Sequence, residues 1–176
     1  MIPPAIQSGA YPTPQEAAQE LLRRQKARES SLAFAQYVDP TYQANAFYHH
    51  LNNALDKVLS GEITRLMIFA PPQHGKSRTI SETFPARWIG ENPNEPVAIV
   101  SYGAFLAQNF STRVRDIVEG TEFPCLYGDL SDRGERLTTR DDMRAKGMWR
   151  LNYPFRGGLW AGGIGGPIGG IGFGLI

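Results

Sequence analysis

The sequence has one cysteine, Cys125, among 176 residues. An internal disulfide is therefore excluded, as is a zinc site of four cysteines or of two cysteines and two histidines. An ordinary buried or half-buried thiol is expected at Cys125. Charge of one sign is also lacking. Lys and Arg total 18 against 17 for Asp and Glu, a formal net charge of +1. That balance excludes a strongly basic nucleic-acid coat and an acidic solvating tail, but not a local basic patch. The first thirty residues lack the apolar stretch of a secretory leader, because Pro3, Pro4, Pro12, Pro14 and a charged run occupy the region. A reduced, cytoplasmic, soluble protein is the simplest expectation. The last twenty residues, Gly157 to Ile176, carry no charge and hold ten of the 19 glycines.

What is present suits a packed core. Hydrophobic residues make up 41% and charged ones 20%, enough for one domain and too few residues for two. Residues 1–40 read as an N-terminal helical lead. Its first dozen residues are flexible; then Thr13 caps a helix, with Pro14 at its first position and Glu16 closing a capping box. Arg23, Arg24, Lys26 and Arg28 follow as a solvated face or as a contact to DNA or a partner. From residue 41 the pattern changes. A helix is predicted from about Thr41 to Leu59, with Phe47, Leu51, Leu55, Val58 and Leu59 at helical spacing, ended by Gly61. His49 and His50 lie on it without a matched ligand set. Arg65 to Ala70 reads as a buried strand. Lys76 to about Phe84 reads as a helix broken or kinked at Pro85. Val97 to Tyr102 reads as a second buried strand. Phe105, Phe110, Val114, Ile117 and Val118 place an apolar stripe on a helix ending at Gly120. This alternation predicts a parallel α/β sheet flanked by helices. Residues 121–150 are less regular, and Asp141-Asp142 reads as a solvated pair rather than a metal site.

The sharpest signal is Ala70-Pro71-Pro72-Gln73-His74-Gly75-Lys76-Ser77. It follows the phosphate-loop pattern G-x-x-x-x-G-K-[ST], with alanine in place of the first glycine. The residue types suit the chemistry. Backbone amides of Pro-following residues Gln73, His74 and Gly75 can curl around phosphate oxygens beside Pro72, and Gly75 permits the tight approach. A helix N-terminus adds partial positive charge. Lys76 reaches the β- and γ-phosphates as the catalytic cation, and Ser77 supplies a hydroxyl to Mg2+. ATP and Mg2+ are the expected ligands.

These residues resemble the large terminase subunits of tailed bacteriophages, the ATPase motors that package double-stranded DNA. Four stretches carry the resemblance. The first is Gly61-Glu62-Ile63 through Ser77. The second is Ser101-Tyr102-Gly103 with Ala107, Phe110-Ser111, Arg113-Val114-Arg115 and Ile117. Leu21-Leu22-Arg23-Arg24 is the least specific. The glycine run is the last: Gly157-Gly158, then Ala161 to Gly172. The resemblance implies a P-loop NTPase of RecA-like (ASCE) type for residues 41–176, incomplete at its C-terminal side. Phe173 to Ile176 resembles the start of the strand that ends in the Walker B acids, and neither those acids nor the family's coupling motif and nuclease domain have counterparts here. This chain is expected to bind nucleotide and hydrolyse it poorly alone. In the intact motor the resemblance implies backbone contacts to double-stranded DNA, portal and small-subunit partners, and a homo-oligomeric ring. It implies a place in the host cytoplasm, transiently at the procapsid portal, or coding by a prophage.

The sequence also departs from that pattern. Gln73 stands where many relatives carry a basic residue, and Gly169 where threonine is frequent. Gln43 is either an adenine contact by analogy or, more simply, a helix-surface amide. Other readings remain open: a helicase- or kinase-type P-loop ATPase, or an inactive truncated product with a sticky, unpaired strand edge. Gly158, Gly162, Gly166, Gly170 and Gly174 also form tandem G-x-x-x-G spacings of the kind seen in membrane helices. Ten glycines and Pro167 speak against that, since glycine costs about 1 kcal/mol per helical position relative to alanine.

Overall fold

Thr13 opens α1 (Pro14–Glu29) with the reciprocal bonds of a capping box. Its hydroxyl accepts from the Glu16 amide, and the Glu16 carboxylate accepts from the Thr13 amide at 2.8 Å. The structure, a computed structural model, describes residues 12–128, 137–166 and 172–176. The expected flexible lead falls almost wholly outside the described residues, as do Pro167, Gly169 and Gly170. Ser30 caps α2 (Ser31–Val38), which ends just before Pro40. The helix predicted from Thr41 begins later. Asn45 accepts from the Tyr48 amide and starts α3 (Ala46–Leu59), leaving 42–45 as a connecting loop.

Lys76 to Glu91 is helical throughout, in three pieces: α4 (Lys76–Arg78), a π-helical turn (Thr79–Thr83) and α5 (Phe84–Glu91). The expected break at Pro85 does not occur. The wide turn lets the Phe84 amide reach back to the Thr79 carbonyl. Pro85 then falls in the first turn of α5, where its missing N–H removes no helical bond. Next come β1 (Pro96–Ser101), α6 (Ala104–Val118), α7 (Phe123–Tyr127), and three strands: β2 (Thr139–Ala145), β3 (Met148–Leu151) and β4 (Gly158–Gly163).

The molecule is mixed α/β, but its sheet is not the parallel one expected. Strand order is β1-β4-β3-β2. Among the described strands β1 and β4 pair in parallel, Pro96 opposite Gly158 through Ser101 opposite Gly163, whereas β4–β3 and β3–β2 are antiparallel. The irregular region after residue 121 supplies the difference, because its polar alternation hides a hairpin. Asp141 and Asp142 stand exposed on β2, paired with Arg144 and Arg140. On the far side of β1, Leu175 makes an isolated parallel bridge to Val97, and the Ala98 amide donates to the Leu175 carbonyl at 2.8 Å.

A second correction concerns Arg65 to Ala70. The run joins no strand; Leu66, Ile68 and Ala70 are half-buried, while Met67 and Phe69 are 80% and 87% exposed. An apolar run shows that burial is possible, not how many of its faces are covered.

The glycines of β4 permit a close approach: a Cβ at Gly158 would lie 2.3 Å from the Trp149 carbonyl oxygen of β3. Trp149 itself is fully buried and donates its indole N–H to Ser111 of α6 at 3.0 Å. One apolar cluster joins Ala27, Phe34, Leu55, Ile89, Val114 and Leu159, so helices of the lead share a core with the sheet. Arg87 of α5, 3% exposed, ties them further. It donates to the Asp56 carboxylate, to the Ser31 hydroxyl at 2.5 Å and to the Arg28 carbonyl at 3.0 Å. Arg23, Lys26 and Arg28 form an exposed face. Cys125, expected to be at least half-buried, is exposed, its Sγ 3.3 Å from the Thr121 carbonyl oxygen. Among the described residues no helix is long and apolar enough to cross a membrane.

Candidate phosphate-binding site

The turn from Pro71 to Gly75 links the extended run 65–70 to α4. Two residues within it have left-handed backbone: Gln73 at φ 61° and Gly75 at φ 66°. Alternating left- and right-handed residues turns consecutive amides toward one concave side, a geometry that suits an anion. The amides of Gln73, His74 and Gly75 donate to no acceptor among the described residues. The Lys76 ammonium bridges the mouth of the turn, donating to the carbonyls of Ala70 at 3.3 Å and Pro71 at 3.2 Å. Pro71, Pro72, Gln73, His74 and Ser77 are exposed, and Gly75 and Lys76 are half-buried. All the loop residues picked from sequence are thus brought together. An incoming phosphate would meet free amides and a lysine now held only by neutral carbonyls.

Two side chains shape the loop. His74 donates from Nδ1 to the Pro72 carbonyl at 2.8 Å, which requires the ring proton on that nitrogen. Tyr48 of α3 donates its hydroxyl to the His74 carbonyl at 3.2 Å. Glycine is needed at 75 for a second reason besides its φ, since a Cβ there would lie 1.9 Å from the Tyr48 hydroxyl oxygen.

A second set of contacts fixes the first helical turn. The Thr79 hydroxyl lies 2.6 Å from that of Tyr42, which accepts from the Asn52 amide at 3.2 Å; Asn52 also donates to the Tyr48 carbonyl at 2.8 Å. Asn52 and Thr79 are buried, so each of these polar atoms needs its partner. Burial pushes the Tyr42 hydroxyl above its ordinary pKa. Arg78 donates to the Asp39 carboxylate and to the Thr41 hydroxyl at 2.5 Å, and its guanidinium sits 5.6 Å from the Tyr42 ring centre. Burial works against the charge on Asp39. Bonds from the Thr41 hydroxyl and Arg78 outweigh it and hold the carboxyl below its usual range.

Sequence reasoning did not find Asp39, Tyr42, Tyr48 or Asn52. The available signal was the i, i+4 spacing of Tyr48 and Asn52, which sets two polar groups on one face of α3. Gln43 lies exposed in the 42–45 loop rather than on a helix. His49 and His50 are exposed, and no group of three or more His, Cys, Asp or Glu suited to a metal occurs among the described residues. For magnesium the loop offers the Ser77 hydroxyl, and the other ligands would be phosphate oxygens and water, as this ion prefers.

No family model, curated protein or solved structure matches the chain.

Proposed function

We propose that the loop Ala70–Ser77 binds the phosphates of ATP with Mg2+, and that the chain is the nucleotide-binding part of a P-loop NTPase similar to the packaging ATPase of phage terminase large subunits. The observation that carries the reading is the turn itself. Left-handed Gln73 and Gly75, three amides without protein acceptors and the Lys76 ammonium meet within a few residues.

The chemistry follows from charge. Backbone amides hold phosphate oxygens without a proton to lose, and Lys76 offsets charge on the terminal phosphates. Ser77 would orient magnesium on them. Bound Mg2+-ATP supplies the phosphoryl group; the protein contributes position and electrostatics. Hydrolysis also needs a carboxylate to orient water, and Ala70–Ser77 contains none. Nucleotide binding with weak turnover is therefore the activity assigned to this chain. Gripping double-stranded DNA through its phosphates, ring assembly, and docking to a portal and small subunit belong to the intact motor that the resemblance suggests.

Calorimetric titration of ATP with Mg2+ into the wild-type chain and Lys76→Ala tests the reading. A charge-assisted bond to phosphate is worth about 1.5–3 kcal/mol, so affinity should fall about tenfold to a hundredfold in the variant. Equal affinities would refute the assignment. A kinase or helicase would use the same loop; stimulation of turnover by double-stranded DNA in a longer form of the protein favours the packaging motor over a kinase.

A further inference from the structure

We infer that Tyr48, outside the loop and on a different helix, is a positioning residue that aims the Gly75 amide at the bound phosphate. The inference rests on the phosphate-loop reading above and adds a residue to it. In a trans peptide the C=O of one residue and the N–H of the next point in opposite directions. Tyr48 draws the His74 carbonyl toward α3 with a 3.2 Å hydrogen bond. The amide of Gly75, on the same peptide plane, must then point away from α3. It is one of the three amides that donate to no described acceptor.

Tyr48 is itself held in place. Its amide caps against Asn45 at 3.1 Å, its carbonyl accepts from buried Asn52 at 2.8 Å, and its ring lies 5.1 Å from that of Tyr42. Tyr42 in turn meets Thr79 in the turn after Ser77. Helix α3 therefore holds the loop directly through Tyr48, while Asn52 steadies Tyr42 against the helical turn that follows it, and a side chain at residue 75 would push Tyr48 off. His74 acts in the same way on the peptide two before, since its bond to the Pro72 carbonyl directs the Gln73 amide to the opposite side.

The test uses the full chain and Tyr48→Phe, which removes the hydroxyl and keeps the ring contacts. Inorganic triphosphate and ATP are titrated by calorimetry, and the Gly75 amide is followed by 1H–15N spectroscopy. In the wild-type chain triphosphate should shift the Gly75 amide downfield. Losing one orienting hydrogen bond should weaken binding of both ligands about threefold to tenfold. The Gly75 shift should shrink while the melting temperature falls by only a few degrees. Unchanged affinity and an unchanged Gly75 shift would overturn the role of Tyr48 alone, provided wild type binds and Lys76→Ala binds more weakly. Loss of folding in Tyr48→Phe would also overturn it, in favour of a purely structural tyrosine. No binding by wild type, or equal binding by Lys76→Ala, would overturn the phosphate-loop reading as well.

Discussion

Replacing Gly75 by alanine separates two physical effects that meet at one backbone position. The first is conformational. Gly75 sits at φ 66°, and an L-residue with a Cβ costs about 1–2 kcal/mol more than glycine in that region. The second is steric. The new Cβ would stand 1.9 Å from the Tyr48 hydroxyl oxygen, so the ring must swing out and give up its bond to His74. That bond contributes about 0.5–1.5 kcal/mol net. Together Gly75→Ala should destabilise the chain by about 2–3 kcal/mol. For a chain of this size the melting temperature should fall by roughly 5–10 °C.

The double-mutant cycle isolates the steric part. In a Tyr48→Ala background the hydroxyl is gone, and Gly75→Ala should cost only the conformational 1–2 kcal/mol or so. The cycle should thus show a coupling of about 1 kcal/mol, with the double variant more stable than the sum of the singles predicts. Thermal and urea denaturation followed by circular dichroism measure all four corners. Additivity within about 0.3–0.5 kcal/mol would refute the claim that residue 75 is glycine partly because of Tyr48.

Asp56→Ala should leave Arg87 almost wholly buried without its anion, and truncating one member of such a pair costs about 3–5 kcal/mol. The exposed side of Asp56 places the value at the low end; a urea midpoint equal to wild type would show that Arg87 does not depend on it. Asp39 gives a pH signature. Its carboxyl in the folded chain titrates below its ordinary value of 3.8, so its contribution is present above 3.8 and is lost as pH falls through the lowered folded value. Melting temperatures of wild type and Asp39→Asn should differ at neutral pH and converge in acid, and a gap that widened in acid would contradict the sign.

The turn before Lys76 and the helix after it were legible because their demands are local: Gly75 takes a left-handed backbone and helix formation begins at the next residue. Helix ends with local caps were legible too, as Thr13 and Glu16 show. Asn45 carried the true start of α3, in step with the apolar spacing from Phe47, and extending the helix back to Thr41 overran that cap. Non-local partners were not legible. Nothing in Thr139 to Leu151 tells that its charged alternation pairs as a hairpin, or that β3 joins β4 antiparallel, since the pairing is decided by Trp149 entering the core beside Ser111. Arg65 to Ala70 failed for the same reason in reverse. Its residues allow burial on two faces, and only the face of Leu66, Ile68 and Ala70 is covered.

The contacts around Gly75 show why a motif is an incomplete description of a site. The pattern names the residues that would touch the ligand, yet their amides point usefully only if the carbonyls behind them are held. Those carbonyls belong to His74 and Pro72, and what holds them is one side chain from α3 and one from the loop itself. Helix α3 is fixed in turn through Asp56 to Arg87 of α5, the helix that continues from the loop. The support therefore closes on itself: the loop leads into α5, α5 anchors α3, and α3 returns through Tyr48 to the loop. On the proposed reading, a loop held by Tyr48 and by the helix after it has less freedom to collapse while empty, so less ordering would remain to be done on binding phosphate. Weakening the brace at Asp56 should then lower triphosphate affinity as well as stability, and unchanged affinity of Asp56→Ala by calorimetry would show that it does not reach the loop.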